Sequence, residues 1–214
     1  MTKRARTLRP LSAAAAGGGS STFGPATLAS DWILGENTAF STSPGTTANV
    51  GSAAAPPGGD GYYAYGMRWT SVSVAKDATI SSATLTIRLT SSDGSAVAYS
   101  AYAAADDAGV PADQSAAISQ LNICTRTRWS SDIFDGSGGS SGELEIDVKD
   151  HIEAVTSRSG WSSGNALVIY LAGAVTADGM GGCTSSASGD DFVAVATDQH
   201  STSSYHPTLE IVHS

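Results

Sequence analysis

Two short segments with alternating apolar and polar residues constrain the fold most strongly. Residues 85–89 read LTIRL and residues 143–148 read ELEIDV, so every second side chain in each segment is apolar. Successive side chains of a strand point to opposite faces of its sheet. The alternation therefore predicts two strands, each with one face in a core and the other in solvent.

Five further segments are rich in aromatic and β-branched residues and are bounded by turn residues, which is typical of strands. They are residues 65–73, 96–103, 166–171, 192–197 and 208–212. The run 166–171 (ALVIYL) has no alternation, so we expect both of its faces to be covered in the middle of a sheet. Many short strands with little helix predict an all-β fold, a jelly-roll β-sandwich.

One short helix is expected after the strand at 143–148. Asp150 can cap its first turn, and Ile152 and Val155 lie three residues apart on one face. The segment should stop near Gly160, because glycine commonly follows the end of a helix.

Length and composition fit a single folded domain with an added arm. The 214 residues contain 41% hydrophobic residues, many of them Ala, and no apolar run approaches the ~20 residues that cross a bilayer. We divide the chain into a basic, Ala/Gly-rich extended arm (1–22), a lead-in strand with a Gly/Pro/Ser-rich loop (23–61), and the jelly roll (62–214).

Charge is distributed unevenly along the chain. Lys3, Arg4, Arg6 and Arg9 lie in the arm, and no acidic residue precedes Asp31. The other 7 of the 11 basic residues stand against 20 acidic ones, so the body carries a formal charge of −13. The body should repel nucleic acid, and the arm has no aromatic residue for base stacking. The arm should be attracted to acidic surfaces, and it is either a solvated, disordered tail or an arm that lies across a neighbouring subunit.

The basic start followed by alanines superficially resembles a secretion signal. A signal peptide needs an apolar stretch of ~7–15 residues, whereas Pro10 and Gly17 interrupt this one. The expectation is that the chain is not secreted by a signal peptide.

Several segments together resemble a known module. Residues 78–87 (ATISSATLTI) are similar to a "GATI-SATL" strand, and 143–148 with Ile152 and Val155 are similar to a "DVT-LVQ-W" strand and helix. Residues 157–167 (SRSGWSSGNAL) are similar to an "RPGWSSGNALV" corner, and 127–129 (TRW) and 206–211 (HPTLEI) to two further strands. These segments span roughly residues 62–213. On them the chain resembles the DNRLRE, or disaggregatase-related, β-sandwich modules.

The resemblance implies a jelly roll similar to carbohydrate-binding modules, found in multidomain secreted proteins and in structural proteins of tailed phages. The lack of a signal pattern, the lack of an attached catalytic domain and the basic arm favour the phage type. We therefore expect a non-enzymatic capsid decoration or cement protein, made in the host cytoplasm and bound to the outer surface of the virion. Its arm would bind the major capsid protein or sister subunits, and a homo-oligomer, for example a trimer, would suit that role.

The alternative prediction is a carbohydrate-binding adhesin on a phage tail or a cell surface. Tyr62, Tyr63 and Tyr65 adjoin a Gly-rich loop and could stack on a glycan, although core and edge packing would explain two of the three equally well. Alternation along a strand puts Tyr63 and Tyr65 on one face and Tyr62 on the other.

The segment around Trp161 predicts a structural corner. Gly160 and Gly164 permit sharp turns, Trp161 supplies a large apolar side chain, and Asn165 can bond loop backbone just before a central strand.

Evidence for metal or catalytic chemistry in the sequence is weak. Asp190, Asp191 and Asp198 are the candidates for a calcium site, because calcium prefers clustered carboxylate and carbonyl oxygens. The chain has no G-x-S-x-G elbow and no P-loop, and nothing selects a carboxylate pair, so no catalytic residue is predicted. Cys124 and Cys183 either form one disulfide or are two separate thiols.

Overall fold

Secondary structure is taken from a computed structural model, which describes residues 20–34, 40–52, 62–92, 97–103, 106–130, 142–173 and 192–214. The strands in these residues are β1 (Ser21–Thr27), β2 (Ser30–Leu34), β3 (Phe40–Ser41), β4 (Thr47–Ser52), β5 (Tyr62–Trp69), β6 (Ile80–Ser92), β7 (Val97–Ala103), β8 (Leu121–Ser130), β9 (Gly142–Asp147), β10 (Leu167–Gly173), β11 (Phe192–Ala196) and β12 (Thr208–His213). The helices are α1 (Gln114–Gln120), α2 (Lys149–Thr156) and a 3₁₀ turn at Ser203–Tyr205.

The front sheet is built on the long strand β6. β9 pairs with one edge of β6, from Thr84 to Leu89. On the other edge, β12 pairs with its first half and β11 with its second half, so β11 and β12 form one interrupted row. β1 pairs with β12 and β4 with β11, which makes a second interrupted row beyond the first. All of these pairs are antiparallel. The front sheet thus runs β9, β6, β12/β11, β1/β4.

The back sheet runs β3, β2, β5, β10, β7, β8, again with antiparallel neighbours. The two sheets are joined where β4 pairs with the start of β5, at Gly51 opposite Tyr63. The segment between β1 and β4 carries β2 and β3, so the chain leaves the front sheet, adds two strands to the back sheet and returns.

The main core lies between the two sheets. The front sheet contributes the alternate side chains Leu85, Ile87 and Leu89, and the back sheet contributes Met67 and Ile169 among others, all buried. Helix α2 packs Ile152 and Val155 against the same core. This arrangement confirms the prediction of an all-β sandwich.

A second apolar cluster covers the outer face of the back sheet. Trp32 and Tyr170 meet edge to face at 5.7 Å, and Ala117 of α1 packs on the same cluster. β10 therefore has both faces buried and lies between β5 and β7, as its unbroken apolar run predicted. Gly66 lies opposite Trp32, and a Cβ at this position would collide with the indole ring.

The predicted strands and the helix after residue 148 are confirmed, with differences at their ends. Asp150 does not cap α2: it lies in the first turn, and Asp147 Oδ1 accepts the Lys149 N–H at 2.9 Å. Helix α1 was not predicted, although Asp113 Oδ1 accepts the Ala116 N–H at 2.8 Å in an ordinary N-cap arrangement. Neither described α-helix is long and apolar enough to span a membrane.

The sandwich begins earlier in the chain than predicted. β1, β2 and β4 pair with strands of the body, so residues from Ser21 onward belong to it rather than only those after residue 61. The pattern was hidden because β1 is largely exposed on both faces, and an exposed strand needs no apolar alternation. Residues 1–19 of the predicted arm lie outside the described residues.

We predict that Ile87→Ala lowers the free energy of unfolding by about 3 kcal/mol, because it opens a cavity in the main core. Ile87 is 1% exposed at the centre of β6. Urea denaturation should show this loss with an unchanged slope. The neighbouring Thr86→Ala, on the outward face, should change the free energy by less than about 0.5 kcal/mol. Equal losses in the two variants would contradict the assigned facing of β6.

Candidate functional site

The predicted corner residues meet at one place, where α2 leads into β10. Trp161 is 2% exposed, and its indole N–H donates to the carbonyl of Val74 at 3.0 Å. Gly164 has φ of +100°, a conformation that side chains disfavour, and its N–H donates to Val72 O at 2.9 Å. The indole and the glycine thus fix the loop after β5 to the start of β10.

Two acidic residues complete the corner from a loop distant in sequence. The Asn165 side-chain amide donates to the carbonyls of Asp106 (3.1 Å) and Gly160 (3.4 Å), and Asp107 Oδ1 accepts the Ala166 N–H at 2.6 Å. Asp106 also lies 3.6 Å from an Arg158 guanidinium nitrogen. These bonds hold the loop after β7 to the corner, so the acidic pair has a structural role.

Two carboxylate residues, the buried Asp31 and the half-buried Asp198, lie where the front sheet is interrupted. Asp31 at the start of β2 is 3% exposed, and its Oδ2 accepts the Tyr65 hydroxyl at 2.5 Å and the Asp198 N–H at 3.3 Å. Asp198 follows β11, and the neighbouring Thr197 donates its hydroxyl to the carbonyl of Gly45. The pair therefore joins the segment between β1 and β4 to the segment between β11 and β12. Its two members are 167 residues apart in the chain.

The electrostatics of this pair favour the protonated form of Asp31. Burial, opposed by the Tyr65 hydrogen bond and reinforced by the charge of Asp198, raises the pKa of Asp31 from 3.8 to about 6. Burial and the charge of Asp31 also raise the pKa of Tyr65 well above its ordinary value, so the phenol stays a donor.

A second buried polar pair links α2 to the back sheet. Ser100 Oγ and His151 Nε2 lie 3.0 Å apart, with Ser100 0% and His151 2% exposed. Burial lowers the pKa of His151, which favours its neutral form. Because a nucleophile must reach its substrate, we interpret this serine–histidine pair as a structural link. Nothing in the sequence places these two residues together.

The three tyrosines predicted to contact a glycan have different environments. Tyr65 is 0% exposed and bonded to Asp31, so the prediction that it contacts a ligand is wrong. Tyr63 is half-buried and packs edge to face on Phe192 at 5.5 Å. The backbone of Tyr62 pairs with Ser52, and its side chain lies outside the described set.

The structure describes only some of the other predicted site residues. Lys3, Arg4, Arg6 and Arg9 lie outside the described residues, as do Asp190, Asp191 and Cys183. The backbone of Cys124 lies in β8, and the structure does not describe its side chain. Asp198 is placed against Asp31. Within the described ranges, no group of three or more His, Cys, Asp or Glu residues is arranged to hold a metal ion.

The chain matches no known protein-family model, and no curated protein is significantly similar to it.

We predict that Trp161→Phe destabilises the sandwich by about 2 kcal/mol, because the carbonyl of Val74 loses its donor in a buried place. Ser162→Ala, one residue later on the exposed side, is the control and should change stability by less than about 0.5 kcal/mol. Thermal and urea unfolding measure both. A Trp161→Phe protein as stable as the wild type would show that the corner does not depend on the indole bond.

We also predict that Asp31 makes stability depend on pH between about 4 and 6. With its folded pKa raised, the native state binds a proton that the unfolded state lacks, so this stabilisation is complete below pH 3.8 and is lost as pH rises through 6. Asp31→Asn should remove the dependence and raise the free energy of unfolding at pH 7 by roughly 1–3 kcal/mol.

Urea denaturation at several pH values tests this dependence. The exposed Asp77→Asn is the matched control, and it should retain the wild-type change in stability between pH 4 and 6. An Asp31→Asn protein whose stability follows the wild-type pH curve would contradict the assignment.

Proposed function

We propose that this chain is a structural protein of a tailed-phage virion, a non-enzymatic decoration protein on the outer capsid surface. The observation that supports the proposal is the position of β1. This strand follows the basic arm directly and pairs with β12 at the edge of the front sheet. The arm is therefore attached at an edge of a rigid body, where it can extend toward a neighbour.

The attachment point gives the arm a long reach. Ser21, the first residue of β1, lies opposite His213 near the end of the chain. Residues 3–9 precede Ser21 by 12 to 18 positions. An extended chain of that length spans up to about 40–60 Å, enough to cross from one subunit to the next. The four cations can therefore bind the major capsid protein or a sister subunit.

The edge itself offers a second means of attachment. Among the described residues, β1 pairs only with β12, which leaves its other edge open. An open edge can accept a strand from another chain through backbone hydrogen bonds. Strand addition would supply affinity that does not depend on charge, and the arm would supply electrostatic attraction.

The carbohydrate-binding alternative has less support from the positions of the tyrosines. Stacking on a sugar ring needs an exposed aromatic face, and of the two described side chains one is buried and the other packs on Phe192. We therefore place the assembly role first.

We predict that the full-length variant Lys3→Gln, Arg4→Gln, Arg6→Gln, Arg9→Gln binds virions lacking the protein at least tenfold more weakly than the wild type at low salt. The substitutions remove four charges from the arm and leave the sandwich unchanged. Co-sedimentation with the particles, quantified by mass spectrometry, measures occupancy.

Lys76→Gln, which removes an exposed charge from the body, is the control and should bind as the wild type does. The wild type should also lose occupancy between 50 and 500 mM salt, because exposed charge pairs are screened. Undiminished occupancy of the four-charge variant would contradict the proposed role of the arm.

A further inference from the structure

A polar groove opens on the outer face of the front sheet, between β6 and β9. Its volume is about 300 Å³. One wall carries the short side chains of Ser82 and Thr84, and the other carries Glu145 and Asp147, with Lys149 at the end. The groove is therefore lined by small polar side chains on one side and by carboxylates on the other.

A bulge in β6 shapes this groove. Val212 lies opposite Ser82 and His213 opposite Ile80, so Ser81 is an extra residue without a partner position in β12. Both Ser81 and Ser82 are exposed as a result. A bulge bends the strand and increases its local twist.

The charges in the groove are mostly uncompensated. Glu145 is exposed and makes no ion pair with any described residue. Lys149 directs its ammonium toward Glu153 on its own helix, at 3.8 Å. Asp147 accepts the backbone N–H of Lys149, at 2.9 Å. Glu143, the next outward residue of β9, extends the acidic row.

The groove and the arm lie at opposite edges of the same sheet. Among the strands that the structure describes, β9 is at one edge of the front sheet and β1 is at the other, with β6 and β12 between them. Strands lie about 4.8 Å apart, so these edges are separated by about 14 Å. An arm that leaves one edge and a receptor at the other edge form a head-to-tail contact between copies, which can close into a ring.

We propose that the N-terminal basic arm of one copy docks in the β6–β9 groove of a neighbouring copy, with its cations paired to Glu145 and Asp147. The occupant is assigned by charge: residues 3–9 carry four cations, and no acid occurs before Asp31. This inference rests on the proposed assembly role and names the surface through which sister subunits would join.

Sedimentation equilibrium of the full-length protein at 50 mM salt tests the docking. We expect concentration-dependent association that weakens as salt increases. Glu145→Lys should weaken it about tenfold, because it puts a repulsive charge in the groove. Glu210→Lys is the matched control. Glu145 lies opposite Thr86 of β6 and Glu210 lies opposite Thr84, and both glutamates face outward, but Glu210 does not line the groove. It should change association less than twofold.

A charge-reversal cycle tests the pairing itself. A chain with Arg4→Glu and Arg6→Glu should associate weakly with itself, as should the Glu145→Lys chain. Mixing the two should restore association, because the unchanged arm of the Glu145→Lys chain can dock in the unchanged groove of the other chain. A single chain with all three substitutions should also associate, because the charges are then reversed on both sides of the contact. Circular dichroism and thermal unfolding of each variant exclude loss of the fold.

Three results would overturn the docking: a monomer at 100 µM protein, equal losses from Glu145→Lys and Glu210→Lys, or no rescue in the mixed pair. Binding to virions is measured separately with the same variants. Arm-dependent virion binding by a chain that does not self-associate would reject the groove as receptor and leave the proposed function in place. A wild-type chain that neither binds virions nor self-associates would reject both the docking and the proposed function.

Discussion

The structure depends on the pairing and burial of one long strand. β6 has 13 residues and pairs with β9 on one edge and with β12 and β11 on the other. Its inward side chains are fully buried between the sheets. Each buried aliphatic side chain contributes about 1.5–3 kcal/mol relative to exposure. The strands around β6, and hence both surfaces proposed for assembly, keep their places through this pairing.

Two rows of the front sheet, β12/β11 and β1/β4, are each made of two strands with a break between them. Polar contacts link the chain segments that leave the sheet at these breaks. β1 ends at Thr27, opposite the start of β12 at Thr208. β4 starts at Thr47, opposite the end of β11 at Ala196. The connections β1–β4 and β11–β12 therefore leave the sheet at neighbouring positions. Asp31, bonded to Tyr65 and to the backbone of Asp198, links these segments inside the sandwich. A buried charge opposes folding unless it is well paired. Burial raises the pKa of Asp31 to about 6, so the ionised carboxylate is held at neutral pH at a cost to stability.

The sequence predicted the elements whose side chains alternate, and it missed those whose position depends on distant partners. Apolar residues alternate with polar ones in β6 and β9, and β10 is an unbroken apolar run. These patterns predicted which faces of each strand are buried. β1 has no such pattern, because only its pairing with β12 places it in the sheet. The partnership of Asp31 with Asp198 was equally hidden, since it spans 167 positions. Tyr65 was wrongly predicted to contact a glycan, because the local sequence of a tyrosine beside a glycine-rich loop does not distinguish a buried side chain from an exposed one.

We propose that the chain is an outer-capsid component attached through its N-terminal arm. Cryo-electron microscopy of the intact virion tests this most directly. We expect a sandwich with the twelve described strands on the outer shell, and density for residues 1–19 running from the β1 edge onto a capsid protein or onto the β6–β9 groove of the next copy. A sandwich located in the tail, or on the shell but attached through another surface with the arm facing solvent, would contradict it.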